Sequence, residues 1–270
     1  MTEFAAITHP GNREGENQDS IGWDTERQLY FVADGMGGHA SGEVASRLVK
    51  ETLLAHAPLV GVPAAVLLAH EAVCKEAQNL DPQRGMGSTV VTAQIVQRSA
   101  QIVWVGDSRA YLWRRGQLQR LTKDHSYLEM LRQEENLTET ALRNQQGSNV
   151  VTQALGMGTP DPSQSNVPLR HGDWIILCSD GVPVELRDSE IAQTLAAHST
   201  PKQAADALLA ATMEHGGRDN ISIIVIPYDG ASARATWIPA FKGRVFEWTA
   251  VLAGMVLAAA IALVWKRWTK

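Results

Sequence analysis

The chain has 270 residues, 44% hydrophobic and 20% charged, which is enough apolar content for a substantial globular core and too much for a disordered segment. Its formal charge of −5 is uneven: residues 231–270 hold six of the 24 Lys and Arg but one of the 29 Asp and Glu, leaving a body near −10 and a tail near +5. An acidic body lacks the basic face that nucleic-acid phosphates require, which argues against nucleic acid as a partner, and two cysteines, Cys74 and Cys178, give no disulfide framework.

The chain opens without a basic segment followed by an apolar run, so no secretory signal peptide is expected and the body is expected in the cytoplasm. Short β-branched or aromatic runs bounded by turn residues predict strands at 20–23 and 29–33. Two helices follow, one with Val44, Ala45, Leu48, Val49, Thr52 and Leu53 on one face. The other carries Pro63 near its start and Ala65, Val66, Ala69, Ala72, Val73 and Ala77 at helical spacing. Strands are predicted again at 89–96, 101–105 and 110–114, then a polar helical stretch at 126–146 that reads as an inserted flap. A strand at 174–178, helices at 189–197 and 201–214, and a strand at 221–226 complete the body. Many strands, with helices grouped in pairs, predict an α+β layered domain with antiparallel sheets. Residues 229–247, with Pro239 and Gly243, read as a linker. Residues 248–265 (WTAVLAGMVLAAAIALVW) carry no charge over 18 positions, the threshold for a transmembrane helix, and 266–270 form a short basic tail. Trp248, Trp265 and Trp268 suit the two membrane interfaces.

Five carboxylates stand at predicted strand ends. Asp34 follows LYFVA, Asp107 follows QIVWVG and Asp180 follows WIILCS, while Asp19 and Asp219 precede SIGW and ISIIVI. One such Asp is an ordinary turn residue. Five converging on one sheet edge would repel one another by about 4 kcal/mol per pair at ~4 Å and an effective dielectric near 20, and so call for cations. No His/Cys cluster has zinc spacing, so hard divalent ions with oxygen ligands, magnesium or manganese, fit the pattern. Gly35 allows close backbone approach, which would let its carbonyl serve as a ligand.

The ordered set Asn17-Gln18-Asp19, Asp34-Gly35-Met36-Gly37-Gly38-His39, Gly85-Met86-Gly87-Ser88-Thr89, Gly106-Asp107-Ser108-Arg109, Leu121-Thr122-Lys123-Asp124-His125-Ser126, Ser179-Asp180-Gly181 and Arg218-Asp219-Asn220 resembles the bacterial PP2C (PPM) protein serine/threonine phosphatases, over residues 1–228. The resemblance implies an αββα sandwich of two antiparallel sheets flanked by helix pairs, with two Mn2+ or Mg2+ ions in a cleft. Water would attack phosphoserine or phosphothreonine directly, without a phosphoenzyme. It implies Asp34 as bridging metal ligand, the Gly35 carbonyl on one ion, Asp180 and Asp219 on the other, and Asp19 holding metal-bound water. Asp107, with Asp180, would form a weaker third metal site, and Arg13 would bind substrate phosphate. Asn220 reads as structural support beside Asp219.

The chain departs from the family pattern in three places. Three residues, not two, separate Arg13 from Asn17; Gln18 replaces a glutamate of many eukaryotic members; and Met36 stands where those members carry a His proposed as general acid, so no general acid is assigned. His125 reads as a structural hydrogen-bonding residue and Arg109 as a partner for nearby carboxylates. The acidic flap predicts a bias toward phosphorylation sites in basic surroundings. With the apolar tail, the resemblance implies an enzyme on the inner membrane with its catalytic domain in the cytoplasm, opposing a membrane-associated Ser/Thr kinase. Two other readings compete: a non-catalytic PPM-like module that binds phosphoproteins, and a hydrolase for another phosphoester.

Overall fold

The structure is a computed structural model that describes residues 3–13, 15–37, 41–80, 85–135 and 150–230. The proposed transmembrane stretch at 248–265 and the flap beyond 135 lie outside these residues. Among the described residues no helix is long and apolar enough to cross a membrane.

Eleven strands are described. β1 (Ala5–His9), β11 (Ile221–Tyr228), β10 (Asp173–Cys178), β7 (Arg109–Arg114) and β8 (Gln117–Arg120) form the first sheet in that spatial order. β2 (Asp19–Asp24), β3 (Leu29–Gly37), β5 (Val90–Val96), β6 (Ser99–Val105) and β9 (Ser163–Pro168) form the second, with β4 (Met86–Ser88) paired to the far end of β3. Every pairing is antiparallel. Helices α1 (Ser41–Val60) and α2 (Val62–Leu80) cover the outer face of the second sheet, and α5 (Asp188–Ala196) and α6 (Pro201–Glu214) that of the first. The short α3 (Tyr127–Glu135) and α4 (Gly181–Glu185) follow β8 and β10.

Strand alternation explains the layering, because successive side chains point to opposite faces. Phe31 and Ala33 of β3 pack with Ala45, Val49 and Leu53 of α1 and Val66 and Ala69 of α2. Their neighbours Tyr30 and Val32 pack with Ile175, Leu177, Ile224 and Ile226 in the layer between the sheets. Ile176, Ile223 and Val225 turn outward onto Ile191, Leu195 and Leu208. Strands buried on both faces have no polar side, which is why they read as continuous apolar runs. The helix boundaries follow local chemistry: α6 begins with Thr200 Oγ1 accepting the Gln203 N–H at 3.3 Å and Pro201 in its first turn.

Two sequence expectations need correction. Asp34 is not at the end of its strand: β3 continues through Gly37, because β4 supplies partners for Gly35, Met36 and Gly37. The helix expected at 189–197 runs one residue earlier, starting at Asp188. Of the polar stretch expected to be helical at 126–146, Tyr127–Glu135 is helix, and 136–146 lie outside the described residues. Strands β1, β4, β8 and β9 escaped the sequence pattern, being polar, short or at an edge.

Candidate active site

At one end of the two sheets lies a cleft of about 440 Å³, lined on one side by Arg13, Gln18, Asp34, Gly35, Asp107, Asp180 and Asp219. Sheet register builds it. Asp19 opens β2 directly opposite Asp34 of β3. The Asp34 carbonyl accepts the Thr89 N–H at 2.8 Å, and Thr89 Oγ1 is 2.8 Å from Ser108 Oγ, so the Asp34 backbone is tied to the turn that carries Asp107. Gly35 has no room for a side chain: a Cβ there would lie 1.9 Å from the Gly42 carbonyl oxygen of α1. Asp180 follows β10 at the start of α4, and a Cβ on Gly181 beside it would meet the Asn220 carbonyl oxygen at 2.1 Å. These contacts bring the β10 and β11 ends together.

Asp219 Oδ1 accepts from Arg13 Nη1 and from the Asn220 N–H, each at 2.8 Å. Asn220 bridges the sheets: its Oδ1 accepts the Gln18 N–H at 2.8 Å and its Nδ2 donates to the Pro10 carbonyl at 3.0 Å. The carboxyl of Asp34 donates a hydrogen bond to Asp180. The structure therefore brings Arg13, Asp34, Gly35, Asp107, Asp180 and Asp219 into one cleft lining and places Asp19 behind them. Asp19 is 8% exposed and its Oδ1 has no hydrogen-bond partner.

Electrostatics mark the cluster as charge-starved. Burial, followed by repulsion from Asp19, Asp180 and Asp107, holds the Asp34 carboxyl well above the usual carboxylate range. Burial and repulsion from Asp180 do the same to Asp107. Burial pushes Asp180 up to about 6 and Asp19 up to about 7, the latter against hydrogen bonds from Ser222 and Ser179 that lower it. Among the described residues no three Asp, Glu, His or Cys side chains form a ready-made metal-ligand group. Arg13 occupies an oxygen of Asp219 and Asp34 one of Asp180, so ligation requires those contacts to exchange. The donor set nevertheless fits a hard divalent cation: it is all oxygen, mutually repelling, and backed by an unpartnered buried carboxylate oxygen.

His125 and Arg109 have the structural roles expected of them. His125 Nδ1 accepts the Gly106 N–H at 3.2 Å and its ring stacks on Trp104, while Arg109 forks onto both oxygens of Asp124 at 2.6–3.1 Å. Burial raises both thiols, Cys178 to about 12, so neither is a ready thiolate. A further part of the cleft lining, Val151–Ala154 and Met157–Pro160, escaped the sequence reading. Its glycines and Pro160 mark a loop, but no side chain there announces chemistry. It is pinned by Leu155, whose backbone pairs with Ser88, and by the Gly156 N–H donating to His70 Nδ1 at 3.0 Å.

The family profile "Protein phosphatase 2C" matches residues 12–216. The chain belongs to the protein phosphatase 2C family. Among its relatives in that family, the serine/threonine phosphatase Stp of Listeria monocytogenes is 32% identical over 244 residues, 84% of this chain and 94% of that protein. The phosphatase PstP of Mycobacterium tuberculosis is 31% identical over 240 residues, 85% of this chain but 46% of PstP, so the chain spans about half the length of that relative. The crystal structure of the PstP catalytic domain in complex with two manganese ions superposes with a TM-score of 0.74 at 30% identity, covering 83% of this chain and 96% of that domain. Two antiparallel sheets flanked by helices are thus the protein phosphatase 2C fold.

Proposed function

We propose that the protein is a metal-dependent protein serine/threonine phosphatase that hydrolyses phosphoserine and phosphothreonine. The observation that carries this reading is the convergence of buried carboxylates from both sheets on one cleft. Asp34, the Gly35 carbonyl, Asp180 and Asp219 would hold two Mn2+ or Mg2+ ions, with Asp107 and Asp180 offering a weaker third site. When bound, the ions would neutralise the acids, attract the phosphate dianion and lower the pKa of water to give a nucleophile near neutral pH. Two manganese ions in the PstP catalytic domain support a two-metal centre.

The chain's own residues do the rest. Arg13 stands at the cleft, half-exposed, and its guanidinium fork matches two phosphate oxygens once it leaves Asp219. Asp19 would hold the attacking water by accepting a hydrogen bond from it through Oδ1. No side chain is assigned as general acid, and water in the cleft would supply the proton to the leaving serine or threonine oxygen. The wall at Val151–Ala154 and Met157–Pro160 is uncharged and gives the peptide backbone a surface to lie on.

The apolar run at 248–265, flanked by Trp and by Lys266 and Arg267, supports a single-pass anchor in the inner membrane with residues 1–228 as a cytoplasmic phosphatase domain and 229–247 as its tether. There the enzyme would reverse the work of a membrane-associated Ser/Thr kinase. The test is release of inorganic phosphate from a phosphothreonine peptide by the full chain, with Mn2+ and with EDTA. Turnover that requires Mn2+ and disappears in Asp180→Asn is expected. A chain that binds phosphopeptide and Mn2+ without turnover would instead be a phosphoprotein-binding module.

A further inference from the structure

Beneath the acids, a chain of hydroxyl groups crosses from one sheet to the other. Asn17 Nδ2 donates to Thr8 Oγ1 at 2.8 Å, and Thr8 Oγ1 lies 2.9 Å from Ser222 Oγ. The Ser222 backbone N–H donates to Ser179 Oγ at 3.0 Å, and Ser179 Oγ donates to Asp19 Oδ2 at 2.8 Å. Thr8 and Ser222 sit in β1 and β11, and Ser179 follows β10, all of the first sheet; Asp19 opens β2 of the second. Ser179 and Ser222 are wholly buried.

The chemistry at Ser179 leaves little freedom. A hydroxyl has one hydrogen and two lone pairs. A backbone N–H, fixed by the β10–β11 pairing, already takes a lone pair, and the hydrogen goes to Asp19 Oδ2. A carboxylate is planar, so pinning Oδ2 also sets where Oδ1 points. Oδ1 is the oxygen left buried without a partner, an unfavourable state unless something in the site satisfies it. We infer that Ser179 is a positioning residue, which locks the Asp19 carboxylate from the opposite sheet and leaves Oδ1 as the oxygen offered to the metal centre. The inference rests on the metal-centre reading above.

The test is Mn2+ affinity of the metal-stripped full chain in mild detergent, by titration calorimetry, with far-UV circular dichroism to confirm folding. Ser179→Ala is expected to weaken Mn2+ binding ~10–100-fold, the usual effect of losing a partner that orients a metal site. Ser179→Cys keeps the volume with a poor donor and should lose affinity in the same direction, which covers the case of an alanine variant that does not fold. The decisive arm is the Asp19→Ala background, where adding Ser179→Ala should change affinity by less than about twofold, since a residue acting through Asp19 has nothing left to act on. Parent-like affinity in both Ser179 variants, or an undiminished loss in the Asp19→Ala background, overturns the inference alone. A parent chain that binds no Mn2+ overturns the metal-centre reading and the inference with it.

Discussion

Asp180→Asn should make the metal-free protein more stable above neutral pH while abolishing its activity. Asp180 titrates near 6 in the folded chain against an ordinary 3.8, chiefly because it is buried, and next because Asp219 repels it. As pH rises past about 4, the unfolded chain gives up this proton while the folded chain keeps it to about 6. The folded state binds more protons across that window, so stability falls as pH rises through it, and the whole penalty is present above it. The gap between 3.8 and about 6, at about 1.4 kcal/mol per pH unit, is ~3 kcal/mol. Asp180 also touches the cleft, where water screens it, and half that figure is a safer lower bound. Asn keeps the volume and an oxygen for Asp34 to donate to, so most of the penalty should vanish. For a domain of this size ~1.5–3 kcal/mol corresponds to a rise of roughly 3–12 °C in Tm. Thermal melts in EDTA at pH 5 and pH 8 measure it: the variant should exceed the parent most at pH 8, and it should close only the part of the parent's pH 5 to pH 8 loss that belongs to Asp180, about one pH unit or ~1.4 kcal/mol, leaving that of Asp19. Adding Mn2+ at pH 8 should stabilise the parent far more than the variant. A variant that melts below the parent at pH 8, or a parent whose metal-free Tm is the same at both pH values, would refute the reasoning.

Arg13→Ala should leave Tm nearly unchanged, because its ion pair with Asp219 is about half exposed on both sides and such pairs contribute ~0–1 kcal/mol. The same change should raise KM for phosphopeptide and lower kcat/KM roughly 10–100-fold, the worth of a charge-assisted hydrogen bond. Arg114→Ala should do the reverse. Arg114 forks onto Asp173 at 2.6 and 2.9 Å and leaves that 2%-exposed carboxylate with the Arg170 N–H at 2.7 Å when removed. A loss of about 3 kcal/mol is expected in denaturant unfolding, with activity per folded molecule retained. Deleting residues 240–270 should move the protein from the membrane to the soluble fraction without loss of metal-dependent turnover, because none of the proposed ligands lies there. Exchanging 126–146 for a neutral segment should weaken a preference for phosphopeptides with basic flanks; an unchanged ranking would remove the flap from substrate choice.

What was legible in the sequence follows from what each residue must do. Central strands such as β10 and β11 are apolar on both faces, and a carboxylate directly after such a run stands out; Asp107 and Asp180 were found this way. Asp34 was found by the same signal but placed wrongly, because the apolar run stops at Ala33 whereas the hydrogen bonding goes on to Gly37 with a partner, β4, of only three residues. β9 alternates half-buried and exposed along SQSNVP, the look of a loop, and its place at the sheet edge depends on pairing with β6. The hydroxyls behind Asp19 were invisible for a different reason. Thr8, Ser179 and Ser222 are ordinary strand or turn residues singly, and only their register within the first sheet, set against Asp19 of the second, makes them a chain.

The division of the acids between two sheets has an energetic consequence. Asp19 and Asp34 come from the second sheet, Asp180 and Asp219 from the ends of strands of the first, and Asp107 sits in the turn from β6 to β7 that passes between them. Their repulsion therefore acts to part the sheets at the cleft end, where apolar packing gives way to polar contacts. A force of this kind is resisted by the layer between the sheets, whose sixteen buried residues include Val32, Val91, Ile102, Leu177 and Ile224. Burial of one such side chain is worth ~1.5–3 kcal/mol, about the size of the Asp180 penalty. The packed layer thus holds the acids closer than they would choose. Cations entering the cleft relieve a cost already imposed by the core, and binding them should show as added stability at pH 8 and little at pH 5, where protons already neutralise the same carboxylates.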